Sequence, residues 1–319
     1  MLKNTQKKTI FLLLQNDGRI DMEDFTLQVA NGQTPKVLLM GNGINRAFGF
    51  ASWDDLIESV RIKDLSEAEK ECMQFVPYPL QPVILTEDHL GTRMKEIAGE
   101  LSELKASEDE DVLLRKFASL PVDAILTANY TYEIEKALDL DFRCVPKRKC
   151  KARKVAYDEG GKYNTEQLHT YFSLSEQKSS IWHIHGEAAR PNTMVLGHYY
   201  YGKLLAKMQQ YVSLFLARYN AIAAKQQEFR VRSWIDYFMI GEVHIVGLGM
   251  ALSELDLWWL INCKKRHFPD TKVVLYKPVI RTEEKLLAEA YGVTVETEGF
   301  SKDYKAYYEW LYKLLEEKL

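Results

Sequence analysis

Three short apolar runs, each β-branched or aliphatic and each breaking sharply into turn or polar residues, constrain this chain more than any other feature. They are Lys36–Met40 (KVLLM), Ala124–Thr127 (AILT) and Val243–Val246 (VHIV). Runs of this length with no polar face read as strands buried on both sides. A fourth, Lys272–Tyr276 (KVVLY), follows a helix-like stretch. A fifth, Val293–Glu296 (VTVE), follows Glu283–Tyr291, which reads as a helix closed by Gly292. Strands alternating with helical stretches predict an α/β fold, a Rossmann-like doubly wound parallel sheet with helical insertions or a helical layer. Such sheets hold ligands outside the carboxyl ends of their strands, so the residues after each run carry the functional information.

Two long stretches between the strands have apolar residues at helical spacing. Residues 86–118 carry Met94, Ile97, Leu101, Leu104, Val112, Leu113 and Phe117; residues 200–228 carry Leu204, Leu205, Met208, Tyr211 and Phe215. Residues 302–319 (KDYKAYYEWLYKLLEEKL) read as an amphipathic helix with a stripe of Tyr304, Tyr307, Trp310, Leu311 and Leu314, better explained by core packing than by a partner surface. With no repeats and no low-complexity linker, the expectation is a single α/β domain over 1–319 with its core at about 36–276.

A chain of 319 residues, 46% apolar and 27% charged, is ordinary globular material able to bury a sizeable core. Its formal net charge of −3 supplies no bulk attraction to nucleic acid or to an anionic membrane, so neither is expected as a partner. The basic run Lys147–Lys154 reads as a solvated surface loop. Cys72, Cys144, Cys150 and Cys263 are widely spaced with no C-x-x-C pair, which suggests neither a zinc ribbon nor a disulfide framework. The apolar run Thr9–Leu14 is too brief for a signal core, and no stretch approaches the roughly 20 apolar residues of a membrane span. The expectation is a soluble cytoplasmic protein.

The strand ends carry four motifs. After Met40 comes Gly41-Asn42-Gly43-Ile44-Asn45-Arg46, where glycines let backbone amides approach a pyrophosphate; a plain tight turn accounts for them as well. Thr127-Ala128-Asn129-Tyr130-Thr131-Tyr132 follows the second strand, before Glu133 and Glu135. Its Thr/Asn pair offers a donor and an acceptor to a ribose or a water, while Asn129 suits a helix cap equally. Gly247-Leu248-Gly249 follows the third strand and leads through Ser253 to Asp256, which a helix N-terminus favours. Residues 182–198 (WHIHGEAARPNTMVLGH) hold three of the seven histidines. With Ile181–His185 as a strand, His183 and His185 share one face.

In that order, these motifs resemble the sirtuin-like superfamily, and the prokaryotic SIR2-like and AbiH-like abortive-infection proteins more than the deacetylases. The resemblance covers about residues 36–276. It implies an NAD site in which the glycine loop (Gly41, Asn42, Gly43) holds the pyrophosphate, Asn129 sits by the nicotinamide ribose and His185 is catalytic. The paired C-x-x-C zinc module of the deacetylases is absent, which argues against protein deacetylation. Thr131 stands where many relatives have Asp, and Ala51 where a Pro often follows the glycine loop.

The resemblance implies an NAD glycohydrolase that releases nicotinamide and ADP-ribose, an NAD-depleting effector in anti-phage defence. Cleavage through an oxocarbenium-like centre needs a polar group on the ribose, a base and a positioned water. Asn129 is expected to order the water or a ribose hydroxyl and His185 to accept the proton, with Asn45 and Thr127 near the nicotinamide end and Gly247, Gly249, Ser253 and Asp256 binding NAD, Ser253 and Asp256 toward the adenosine. No metal is expected. A module that binds NAD or ADP-ribose without turnover, and a metal hydrolase using the His-x-His pair, are the alternatives. Homo-oligomers or a partner defence protein are the expected associations.

Overall fold

The computed structural model describes residues 27–30, 32–143, 152–156, 166–297 and 302–319. The Thr9–Leu14 run, Cys144, Cys150 and the first part of the basic run Lys147–Lys154 lie outside the described residues. Ten strands are present among those described: β1 (Gln28–Val29), β2 (Lys36–Met40), β3 (Ala124–Thr127), β4 (Arg153–Val155), β5 (Thr170–Leu174), β6 (Ser179–His183), β7 (Phe229–Arg230), β8 (Glu242–Val246), β9 (Val273–Tyr276) and β10 (Thr294–Glu296). Eight form one sheet in the order β10-β9-β8-β2-β3-β6-β5-β4, and β1 pairs with β7. From β10 to β6 all neighbours are parallel, while β5 pairs antiparallel with both β6 and β4.

The strands of the parallel part are buried on both faces, which is why they read as unbroken apolar runs. Along β2, Val37 and Leu39 enter one core and Leu38 and Met40 the other, the two-residue alternation of a pleated strand. One core takes Leu204, Met208 and Phe215 of the His198–Ala223 helix, every apolar residue of the Trp234–Ile240 helix, and Leu257, Leu260 and Ile261 of the Leu255–His267 helix. The opposite core takes Met94 and Ile97 of the Leu90–Glu103 helix, Leu113, Leu114 and Phe117 of the Glu108–Ala118 helix, and Tyr307, Tyr308, Leu311 and Leu315 of the Tyr304–Lys318 helix. The chain is thus a mixed α/β protein of Rossmann-like architecture, as its strand pattern predicts.

The expected helical stretches differ in detail. Residues 86–118 are two helices, because the first ends at Glu103 and Ser107 caps the second by accepting from the N–H of Glu110. Leu104 falls in the break and Val112 faces outward, with Leu114 buried in its place. The buried stripe of the last helix is Tyr307, Tyr308, Leu311 and Leu315, whereas Tyr304 is half exposed. The short helices Trp53–Ser59 and Glu67–Met73, absent from the pattern reading, begin at capping boxes in which Ser52 pairs with Asp55 and Ser66 with Glu69. The fifth strand expected at Val293–Glu296 is present as β10, and it carries the sheet past the expected core limit of 276.

Strand order places the site. From β2 the chain moves one way to β3 and β6, and later returns to the other side of β2 with β8, β9 and β10. The order reverses between β2 and β8, and that switch point is where an open α/β sheet leaves a crevice at its carboxyl ends.

Candidate active site

The two glycine loops meet at this switch point. Gly41 donates its N–H to the Val246 carbonyl at 2.9 Å, and Gly43 donates to the Gly247 carbonyl at 2.7 Å. A Cβ on Gly41 would lie 2.7 Å from the Gly247 oxygen, so the glycines let one loop lie against the other. The expectation that these amides wait for a pyrophosphate is corrected at Gly41 and Gly43, whose N–H groups are already committed. The Asn42 side-chain amide donates to the Ala51 carbonyl at 2.8 Å and braces the loop. Gly249 is open, with nothing near its missing Cβ, and its carbonyl accepts from Lys277.

Asn45 differs from its neighbours. Its side chain is 2% exposed and its Nδ2 has no hydrogen-bond partner among the described residues. An unpaired buried amide costs about 1–3 kcal/mol, which a ligand acceptor would recover.

On β3, the Thr127 hydroxyl accepts from the Asn129 N–H at 3.1 Å, and the Thr127 carbonyl accepts from Ile184 N–H at 2.9 Å. The next helix, Glu133–Ala137, has Tyr132 as its cap residue without a side-chain cap, so Asn129 does not serve as one. His183 pairs with the Asn129 segment instead: Nδ1 donates to the Asn129 carbonyl at 2.9 Å, and Nε2 lies 2.9 Å from Glu135 Oε1. Tyr132 and Phe172 flank the ring. The Thr131 hydroxyl acts on Glu133, whose carboxyl burial holds above its ordinary range; an Asp at 131 would set a second negative charge there.

His185 goes elsewhere. β6 ends at His183, and the chain turns through Ile184 and His185 into Gly186 at φ +84°. The expected common face is therefore not formed, and the two imidazoles share no partner. The space at Gly186 is taken by the Thr193 backbone. His185 is 4% exposed, its Nε2 lies 2.9 Å from Asp256 Oδ2, and its ring meets the Tyr201 edge. Burial alone would lower its pKa, but the charge and hydrogen bond of Asp256, with the charge of Glu254, outweigh that and raise it above the usual imidazole value. With Asp256 ionised and accepting from Nε2–H, the free lone pair of the neutral ring is at Nδ1.

Asp256, expected on the adenosine side, is thus the partner of His185. Asp256 is the second residue of the Leu255–His267 helix, where the helix dipole favours its negative charge. Trp258 of the same helix donates its indole N–H to the Ala251 carbonyl at 3.0 Å, shaping the loop that carries Ser253 and Glu254. Burial, then the nearby Asp256 charge, raises the Glu254 pKa despite His185. Ser253 lines a cleft of about 890 Å³ together with Leu252, Leu255, His198, Asp54 and Tyr78. That volume lies in the range of small-molecule and cofactor sites.

Sequence reasoning missed Glu254, Glu187, Tyr201 and Tyr308. Tyr132 donates its hydroxyl to Glu187 at 2.9 Å and Arg153 pairs with the same carboxylate, which holds the segment after His185. Tyr308 brings the last helix against Gly43. None of these pairings has a local signal. Glu135, Glu187 and Glu254 stand within the four motifs, which assign none of them a role.

These features define an open α/β sheet with the buried polar side chains of Asn45, His185 and Asp256 on the segments at the carboxyl ends of its strands. Residues 123–226 match the family model of the SIR2-like domain, a span that includes Asn129, His183 and His185. Both glycine loops lie outside the matched span. No curated protein matches the chain. No helix among the described residues is long and apolar enough to cross a membrane.

Proposed function

We propose that the protein hydrolyses NAD to nicotinamide and ADP-ribose, as one SIR2-like α/β unit. The observation that carries the reading is the emergence of Asn129 and His185 from the adjacent strands β3 and β6, in which Thr127 lies opposite His183. His185 is there buried against Asp256 beside the switch-point loops.

In the reaction, Asn129 orders a water or a ribose hydroxyl at the nicotinamide ribose. The bond from the ribose carbon to the nicotinamide nitrogen breaks, its electron pair neutralises the pyridinium, and positive charge develops on the ribose. Water adds to that carbon and gives its proton to His185 Nδ1. Asp256 strengthens the base and fixes its tautomer, while the negative field of Asp256 and Glu254 favours the developing cation. Asn45 supplies an unpaired amide to the ligand and Ser253 contacts it from the cleft wall. His183 holds Asn129 through its main chain and takes no proton from substrate.

The biological reading is an NAD-depleting effector of anti-phage defence, cytoplasmic, working as a homo-oligomer or with a partner defence protein; its support is the motif order and the SIR2-like match. Purified protein incubated with NAD should release nicotinamide and ADP-ribose, followed by chromatography. Asn129→Ala should slow that release by at least about a hundredfold in a folded protein. Binding of NAD without turnover would replace the reading with a sensing module, and absence of both would end it.

A further inference from the structure

His185, Glu254 and Asp256 each offer one ligand atom, and these atoms lie within 4.8 Å of one another. We propose that the three side chains form a binding site for one divalent transition-metal cation, distinct from the His183/His185 pair that the spacing first suggested.

Charge is the first argument. The trio carries two carboxylates against one imidazole, and among the described residues neither carboxylate has a lysine or arginine partner. Asp256 is 1% exposed. One imidazole can balance only one of two buried carboxylates, so with both ionised a negative charge is left over at a cost that a divalent cation removes.

Unpaired oxygens are the second. Asp256 Oδ1 and Glu254 Oε2 are both buried and have no hydrogen-bond partner among the described residues. A carboxylate oxygen left that way forgoes an interaction that a cation supplies directly.

Geometry is the third. The 2.9 Å separation of His185 Nε2 and Asp256 Oδ2 matches the edge between neighbouring donors of an octahedral site with ligands at about 2.1 Å. Glu254 is only partly buried and stands on the loop that borders the cleft, which supplies a route for entry. A mixed nitrogen and oxygen set selects zinc or manganese over calcium or magnesium, which prefer oxygen alone. His183 takes no part, since both its ring nitrogens are engaged by Asn129 and Glu135.

One consequence rests on the NAD-cleavage reading: a cation on the trio occupies the imidazole that accepts the proton, so the loaded protein should be inactive and chelation should restore it.

The test of the site itself uses no NAD. Chelator-treated full chain is titrated with Zn²⁺, then with Mn²⁺, by calorimetry. One tight equivalent is expected, weakened about a hundredfold by Glu254→Gln and by Asp256→Asn. Absence of a stoichiometric site, or equal affinity in folded variants, overturns the proposal. Should Asp256→Asn not fold, Co²⁺ loading of the unaltered chain decides: a spectrum of nitrogen and oxygen ligation supports the site, and an intense thiolate charge-transfer band, as from exposed Cys72, overturns it. NAD turnover of the metal-free protein is measured separately, so an inactive protein with a cation site and an active one without it are distinguishable.

Discussion

Gly43 donates its N–H to the Gly247 carbonyl at 2.7 Å, joining the loop that leaves β2 to the loop that leaves β8. The contact needs bare backbone on both sides: a Cβ on Gly43 would stand 2.7 Å from the Gly247 Cα and would also strike the Tyr308 hydroxyl, and Gly247 itself sits at φ +68°. Gly43→Ala should therefore destabilise the protein by about 1–3 kcal/mol, the usual cost of overpacking. Gly249→Ala, with open space around it, should stay within about 0.5 kcal/mol. Urea unfolding of the two variants makes the comparison; equal small effects would show that the loops separate freely.

His183 and Glu135 form a buried pair whose other end holds the Asn129 carbonyl. Removing one member leaves the other buried and uncompensated, at about 3–5 kcal/mol. His183→Ala should thus lose stability but keep more activity than His185→Ala, which should lose nearly all NAD cleavage and retain much of the NAD affinity. Thermal midpoints, NAD binding and turnover of both variants check this. An inactive but fully stable His183→Ala protein would assign the chemistry to the wrong imidazole.

The strands were legible because a parallel strand buried on both faces is a continuous apolar run, so Lys36–Met40 and Ala124–Thr127 occupy the spans read from their residues. The motif residues were legible for a related reason: the architecture puts whatever follows such a run at the crevice. Pairings across the chain were not. His185 and Asp256 are 71 residues apart, and nothing local to either shows that the helix start of one reaches the turn of the other. The shared face of His183 and His185 failed because period-two reasoning holds only while the strand lasts, and Gly186 allows the chain to turn one residue beyond His185. The short helices after Ser52 and Ser66 carried readable capping signals, but few apolar positions to draw notice.

Glu110 yields a pH prediction remote from the crevice. Its side chain is fully buried, neither carboxylate oxygen has a partner among the described residues, and burial with the Glu133 charge pushes its pKa up to about 7. The unfolded chain protonates this group at an ordinary value near 4.5. Between the two values the folded state binds the extra proton, so this group's contribution to stability falls as pH rises from about 4.5 to about 7 and stays low above. Glu110→Gln should then be more stable than the unaltered protein by about 2 kcal/mol at pH 8, with little gain near pH 4. Denaturant unfolding at the two pH values tests it, and a gain independent of pH would contradict the assignment.

Asp256 supplies the last prediction, because its place at His185 replaces an expected role at the adenosine end. If it acts through the imidazole, Asp256→Asn keeps a hydrogen-bonding group of the same shape but removes the charge that makes the ring a strong base. Turnover of NAD should fall about a hundredfold or more, with KM nearly unchanged. The double variant Asp256→Asn/His185→Ala decides how the two residues are related. Groups that act as one unit are not additive, so the double variant should be no slower than His185→Ala alone. A carboxylate that instead held the adenosine would raise KM in the single variant and slow cleavage further in the double at limiting NAD. Additive losses in kcat/KM would detach Asp256 from the base and return it to the adenosine side.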